Sequence, residues 1–92
     1  MAGASTRRLG DLQPIHREGM NPITEAKLRR MSDDELMRTA TNPHNGQMIK
    51  VPPGDNRVLD GNTRVRELQR RMADPSSRFK PDTDIPVEEI TT

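Results

Sequence analysis

The segment from Asp60 to Arg64, D-G-N-T-R, contains residue types that bind phosphate groups in proteins. Gly61 permits a sharp turn and a close approach of the backbone to a ligand. A helix is expected to begin after this turn, and its free N–H groups and positive dipole end form an anion site. Thr63 can add a hydroxyl donor, and Arg64 a planar guanidinium that matches phosphate geometry. The segment therefore predicts a strand–turn–helix phosphate site made by Gly61, Asn62, Thr63 and Arg64.

The same residues also fit a turn that binds no ligand. D-G-N is typical of a turn after a strand, and Thr63 could be an ordinary helix N-cap. The segment is not a Walker loop, because it lacks the lysine and the longer glycine spacing of that motif. The residues alone leave both interpretations open.

Two side chains could supply proton transfer beside this turn. His16 is one of only two histidines in the chain, and an unperturbed histidine titrates near neutral pH. Asp60 could bind Mg²⁺ or orient a nucleophile, which would suit phosphoryl transfer. Their structural alternatives are an exposed loop histidine and a turn-capping carboxylate. His16 and Asp60 are therefore the catalytic candidates, and no set of residues is predicted to be a metal site.

Three more arginines follow Arg64 along the expected helix, at positions 66, 70 and 71. Glu67 interrupts this basic stripe and can pair with Arg71 at i+4. A solvated helix face is the simplest interpretation, and contact with a phosphate backbone is the alternative. A base-stacking platform is not expected, because the chain has one Phe and neither Trp nor Tyr.

Short elements are expected to position these residues. In chain order they are an extended segment at 9–16, a helix opening at 21–22, a helix at 32–40, strands at 48–51 and 57–60, a helix at 63–72 and a strand at 84–90. The strands at 48–51 and 57–60 predict a β-hairpin, and Ile15, Ile23 and Ala26 are expected to face the core. Residues 1–8 show no pattern and are predicted to be a flexible lead-in. The order predicts one α+β domain over 9–92, with a short mixed sheet and about three helices.

Composition narrows the class of protein. With 92 residues the chain is one small domain at most. A net charge of +1 argues against a histone-like protein held to DNA by bulk charge, and the lack of cysteine excludes disulfides and thiolate chemistry. No apolar run is long enough to predict a membrane span, and no secretory signal is visible. Ile, Leu, Val and Phe make up only 16 of the 92 residues, which predicts a folded domain of marginal stability.

The hairpin followed by D-G-N-T-R-V-R-E-L resembles the ParB/sulfiredoxin-like superfamily. Those domains carry a G-x-x-R motif between a strand and a helix, and Gly61 and Arg64 match its glycine and its arginine. The L-Q-P-I at 12–15 resembles the opening strand of the superfamily, and the I-P-V at 85–87 resembles its closing strand. The resemblance spans about residues 9–90. It implies a ParB/sulfiredoxin-like fold with a site for the phosphate of a nucleotide or a nucleic acid.

Two departures limit what this resemblance implies. Asn62 and Thr63 stand where partition proteins of the superfamily have acidic and basic residues. Sulfiredoxin chemistry is excluded because the chain has no cysteine.

A narrower resemblance is to the small C-terminal toxin domains of Rhs-type polymorphic toxins. The matching motifs are L-Q-P-I-H at 12–16 and G-N-T-R at 61–64. This resemblance implies an antibacterial toxin (effector) domain, a nuclease or a nucleotide hydrolase, that acts on nucleic acid or on a nucleoside triphosphate such as ATP or CTP. Phosphoryl transfer on such a substrate would suit Mg²⁺ as cofactor. The resemblance also implies action in the bacterial cytoplasm, delivery by a secretion system as part of a larger protein, a cognate immunity protein as partner, and no membrane contact.

Two other functions stay open at this point. The chain could be a nucleotide-binding switch module without turnover, or a small adaptor protein in which residues 60–64 form only a turn.

Overall fold

The computed structural model of the chain describes residues 2–15, 22–42 and 48–91. The elements in these ranges are β1 (Ala2–Arg8), a 3-10 turn (Leu9–Asp11), β2 (Gln13–Pro14), α1 (Pro22–Arg29), α2 (Asp33–Thr41), β3 (Ile49–Val51), β4 (Arg57–Val58), α3 (Asn62–Met72) and β5 (Asp84–Ile90). The predicted α+β class, with a short mixed sheet and three helices among the described residues, is confirmed. No helix within those ranges is long and apolar enough to cross a bilayer.

β5 is the central strand of the larger sheet, whose order is β1-β5-β3. β1 runs antiparallel to β5, with Arg8 opposite Asp84, and β3 runs parallel to β5, with Ile49 opposite Val87. The smaller sheet pairs β2 with β4 in parallel. The larger sheet is therefore mixed, and the last strand of the chain holds its first strand in place.

The prediction that residues 1–8 form a flexible lead-in is wrong for residues 2–8. Small and polar residues give this segment little intrinsic strand preference. It forms β1 because β5 pairs with it along seven consecutive positions. Arg7 adds a side-chain contact, since its guanidinium forms an ion pair with Glu89 on β5. The folded unit therefore begins earlier than the predicted boundary at residue 9.

The extended segment predicted at 9–16 is only partly right within the described residues. Leu9–Asp11 form a 3-10 turn, and the strand β2 is limited to Gln13–Pro14.

The two strands of the predicted hairpin meet antiparallel at a single bridge between Lys50 and Asp60. Beyond that bridge β3 pairs with β5, and β4 pairs with β2. The hairpin therefore connects the two sheets and brings the end of β4 against β3.

Within residues 2–15, 22–42 and 48–91, thirteen buried side chains form the apolar core. They are Leu9, Leu12, Leu28, Leu36, Ala40, Ile49, Val51, Val58, Val65, Leu68, Phe79, Ile85 and Val87. Leu28 is the buried residue of α1, so the prediction that Ile23 and Ala26 face inward is wrong. Ile23 lies five residues before Leu28, about 140° around the helix, and is 82% exposed. Ile15, also predicted to be buried, is half exposed.

A buried ion-pair network joins the three helices. Arg71 on α3 donates from Nε to Glu67 Oε2 (2.9 Å) and from Nη1 to Asp33 Oδ1 (2.9 Å) at the start of α2. Its Nη2 donates to the carbonyl oxygens of Leu28 (2.9 Å) and Met31 (2.7 Å), where α1 ends. These carbonyls belong to a helix end that would otherwise leave acceptors unpaired. One guanidinium therefore fixes the end of α1 and the start of α2 against α3.

The pKa of Glu67 makes this network sensitive to acid. Burial alone would raise the pKa, but hydrogen bonds from Arg70 and Arg71 outweigh burial and lower it. The carboxylate therefore stabilises the fold above its unfolded pKa of about 4.3, and this contribution is lost as the pH falls through the lower, folded value.

Glu67→Gln is expected to lower the free energy of unfolding at pH 7 by about 3 kcal/mol, because the buried Arg71 loses the more buried of its two ionised partners and keeps only Asp33. Urea unfolding at pH 7 and at pH 3 measures this. Stability should fall more steeply toward acid in the wild type than in Glu67→Gln. Parallel losses in the two proteins would contradict the role assigned to Glu67.

Candidate phosphate-binding site at the start of helix α3

The turn between β4 and α3 depends on Gly61. This residue is the N-cap of α3 and has φ 90° and ψ 20°, in the left-handed region that favours glycine. A Cβ atom at this position would lie 3.0 Å from Ile49 Cγ1 and 3.3 Å from Ile49 Cα. The strand–turn–helix arrangement expected from the sequence is present. Glycine is required there by the backbone conformation and by the close approach of β3.

Asp60 closes the turn and stays accessible to a ligand. Its Oδ1 accepts a hydrogen bond from the Gly61 N–H (2.9 Å), and its Oδ2 lies 3.4 Å from Lys50 Nζ. The side chain is 64% exposed. Among residues 2–15, 22–42 and 48–91, no three His, Cys, Asp or Glu side chains form a group that could hold a metal ion.

The side chain of Asn62 is buried and holds three segments together. Its Oδ1 accepts a hydrogen bond from the Ile15 N–H (2.8 Å), and its Nδ2 donates to the Val58 carbonyl (2.9 Å). Asn62 thus ties the end of β2 and the end of β4 to the first turn of α3. What it can offer a phosphate is its backbone N–H, which has no intrahelical partner at this position.

Arg64 is anchored beneath the turn. Its Nη1 donates to the Thr39 carbonyl (2.7 Å) in the last turn of α2, and its Nη2 would lie 3.3 Å from a Cβ atom at Gly61. Burial lowers the pKa of Arg64, and the nearby charge of Asp60 opposes this shift. A guanidinium at a helix C-terminus also interacts favourably with the helix dipole. The contact with α2 was not visible in the sequence, and the predicted contact of Arg64 with phosphate stays a prediction.

Thr63 is the residue of the motif whose side chain is left for a ligand. It is half-buried, and its hydroxyl forms no hydrogen bond within the described part of the chain. The first turn of α3 contains no acidic residue, and the N-cap glycine supplies no side-chain hydrogen bond. The helix start therefore presents backbone donors, a hydroxyl group and a positive dipole end together.

His16 lies outside the described residues, and its proposed catalytic role stays a prediction. The residue before it, Ile15, is hydrogen-bonded to Asn62 of the turn. The structure thus brings residues 60–64 and the end of β2 together.

Sequence reasoning found the Glu67–Arg71 pair, which is present, but it missed what lies beside it. Arg71 was grouped with a basic stripe, and the structure buries it among backbone carbonyls. Arg29 of α1 lies next to Thr63 and Arg70. No signal in the sequence could reveal that proximity, because it depends on the packing of α1 against α3.

Gly61→Ala is expected to destabilise the fold more than Gly54→Ala. Both glycines have positive φ, but a Cβ atom at Gly54 would meet nothing within 4 Å. Gly54→Ala should therefore cost about 1 kcal/mol for the backbone conformation, and Gly61→Ala about 1–3 kcal/mol more for the contact with Ile49. Urea unfolding measures both variants. Equal losses would contradict the close contact between the turn and β3.

The chain was compared with models of known protein families, with curated proteins and with solved structures, and none of them matches. The function must therefore be inferred from the geometry of residues 60–64 and from the residue motifs themselves.

Proposed function

We propose that this chain is an antibacterial toxin (effector) domain that binds a phosphate-containing substrate, a nucleic acid or a nucleoside triphosphate, at the Gly61 turn. The observation that carries the proposal is the start of α3, which has a left-handed glycine N-cap, no side-chain cap and no acidic residue in its first turn. Such a helix start binds anions through its N–H groups and its dipole. The toxin assignment is supported by the L-Q-P-I-H and G-N-T-R motifs.

In this proposal the backbone and the side chains of the turn have different roles. The N–H groups of Asn62 and Thr63 and the Thr63 hydroxyl donate to phosphate oxygens. The guanidinium of Arg64 adds positive charge from beneath the turn, where water screens it less than at the surface. Because the side chains of Asn62 and Arg64 are bonded internally, the donors are held in place before the substrate arrives.

Proton transfer is proposed for Asp60 and His16. The exposed Asp60 carboxylate lies next to the turn, so it can orient a hydroxyl group or a water molecule that attacks the bound phosphate. In this step the Asp60 carboxylate accepts the proton that the attacking hydroxyl group or water loses, and His16 would donate a proton to the oxygen that leaves the phosphorus atom. Together they would make the turn a phosphodiester- or phosphoanhydride-cleaving site.

One observation favours a second candidate, the small adaptor protein. The Asn62 and Arg64 side chains are both used to hold the fold, which is what a turn without a ligand would also require. A nucleotide-binding switch differs from both, since it would bind ATP or CTP and release no product.

Induced expression in a bacterial host tests the proposal, with variants produced in equal amounts. The wild type should arrest growth, and His16→Ala and Asp60→Asn should relieve the arrest. Thr63→Val should weaken substrate binding about tenfold, because one hydrogen bond to a charged group is lost. Thr63 is a better probe than Arg64, since loss of Arg64 would also disturb the contact with Thr39.

The matched control is Thr6→Val, which removes an exposed hydroxyl on β1 and should leave the arrest unchanged. A wild-type chain that is folded, soluble and harmless would overturn the toxin assignment. Arrest that is equally strong in the Asp60, His16 and Thr63 variants would overturn the site.

A further inference from the structure

A small cleft lies beside the Gly61 turn, between α1 and α3, and we name it the arginine cleft. Its lining residues are Glu25, Arg29, Thr63, Arg66, Glu67 and Arg70. Thr63 belongs both to the cleft and to the proposed phosphate site, so the two are continuous.

A buried carboxylate organises two exposed guanidiniums in the cleft. Glu67 is 6% exposed, and its Oε1 accepts from Arg70 Nε (3.0 Å) and lies 4.0 Å from Arg29 Nε. Arg29 and Arg70 are nevertheless 62% and 56% exposed. A guanidinium has five N–H donors in a planar fork, so one edge can face Glu67 while the other faces solvent. Glu67 therefore holds Arg70 by two hydrogen bonds and lies within ion-pair distance of Arg29, and much of each guanidinium stays exposed.

The charge of the cleft favours an anion. Three arginines line it against two glutamates. Arg71 pairs with Glu67 from inside but is itself paired with Asp33, and the carboxylate of Asp74 acts on Arg70 from outside the cleft. Glu25 is the carboxylate that opposes anion binding there. The excess of positive charge attracts phosphate rather than a cation. The positive end of α3 adds to this attraction at Thr63 only, because Arg70 lies in the last turn of the helix.

The spacing along α3 favours a ligand with several phosphates in a row. Thr63 and Arg70 are seven residues apart, about 10 Å along the helix axis. A stacked nucleic-acid strand advances about 3.4 Å per nucleotide, so this span corresponds to about three nucleotides. Phe79, the single aromatic residue of the sequence, is fully buried, so the bases of such a strand cannot stack on it.

We infer, resting on the proposed function, that the substrate is a nucleic-acid strand. One phosphate occupies the Gly61 turn, and the neighbouring phosphates contact Arg29 and Arg70 in the arginine cleft. Binding is electrostatic and independent of base sequence.

The test is fluorescence anisotropy with labelled twelve-nucleotide oligo-dT and oligo-U, and separately with labelled ATP, over a range of salt concentrations. Arg29→Gln and Arg70→Gln should each weaken oligonucleotide binding about fivefold, the upper range for one exposed ion pair. Each should also reduce the slope of log affinity against log salt by about 0.7. ATP binding should not change. The matched control is Arg78→Gln, because Arg78 is a half-exposed arginine that pairs with Asp34 on α2.

The outcomes separate this inference from the function it rests on. Suppose that Thr63→Val loses binding of both ligands, while Arg29→Gln and Arg70→Gln bind the oligonucleotides as the wild type does. This result would overturn the inference but would still support the Gly61 site. The opposite result is weaker oligonucleotide binding in the two arginine variants and unchanged binding of both ligands in Thr63→Val. It would support nucleic-acid contact in the arginine cleft and overturn the Gly61 site. An equal loss in Arg78→Gln would also overturn the inference, since binding would then follow net charge. Thermal unfolding confirms that Arg70→Gln, which removes a partner of Glu67, is folded in the assay.

Discussion

The buried pair of Glu67 and Arg71 is the interaction on which the position of α3 depends. Taking two charges out of water costs several kcal/mol per ion, and the cost is offset only where the remaining donors and acceptors are satisfied. Here the Arg71 guanidinium also bonds to Asp33 and to two carbonyls at the end of α1. These contacts join the end of α1 and the start of α2 to α3 through one polar junction. Because Glu67 also holds Arg70 and faces Arg29, the same carboxylate shapes the surface beside the proposed site.

A second constraint acts at the other end of α3. Gly61 is forced against Ile49, and the side chains of Asn62 and Arg64 bond to segments far away in the sequence. These contacts fit a structural turn, and they also fit a preformed anion site. A donor that must be ordered on binding costs conformational entropy, whereas one fixed by the fold does not. The difference between the two interpretations therefore depends on the groups that the fold leaves unbonded, which are the first N–H groups of α3 and the Thr63 hydroxyl.

The sequence predicted the features that depend on near neighbours. The helix expected at 32–40 is present as α2, because it begins at a Ser32–Glu35 capping box whose two hydrogen bonds are formed within four residues. The local sequence D-G-N-T likewise predicted that α3 begins at a glycine turn. The strand β1, the outward orientation of Ile23 and the bond from Ile15 to Asn62 were not, because each is determined by packing between segments that are distant in the chain. For the site, the sequence identified the residues of the turn but did not show that the fold bonds the side chains of Asn62 and Arg64 internally. It could not place Arg29 beside Arg70.

We propose that the start of α3 binds phosphate through its backbone N–H groups. An amide NMR titration of the ¹⁵N-labelled chain with inorganic phosphate and with ATP, at an ionic strength held constant with sodium chloride, tests this directly. The amide resonances of Asn62 and Thr63 should shift in a saturable manner with both ligands and stay unchanged in sodium chloride alone. If the amide resonances of Asn62 and Thr63 do not shift during the titration, phosphate binding by the backbone is contradicted. Residues 60–64 would then form a structural turn only.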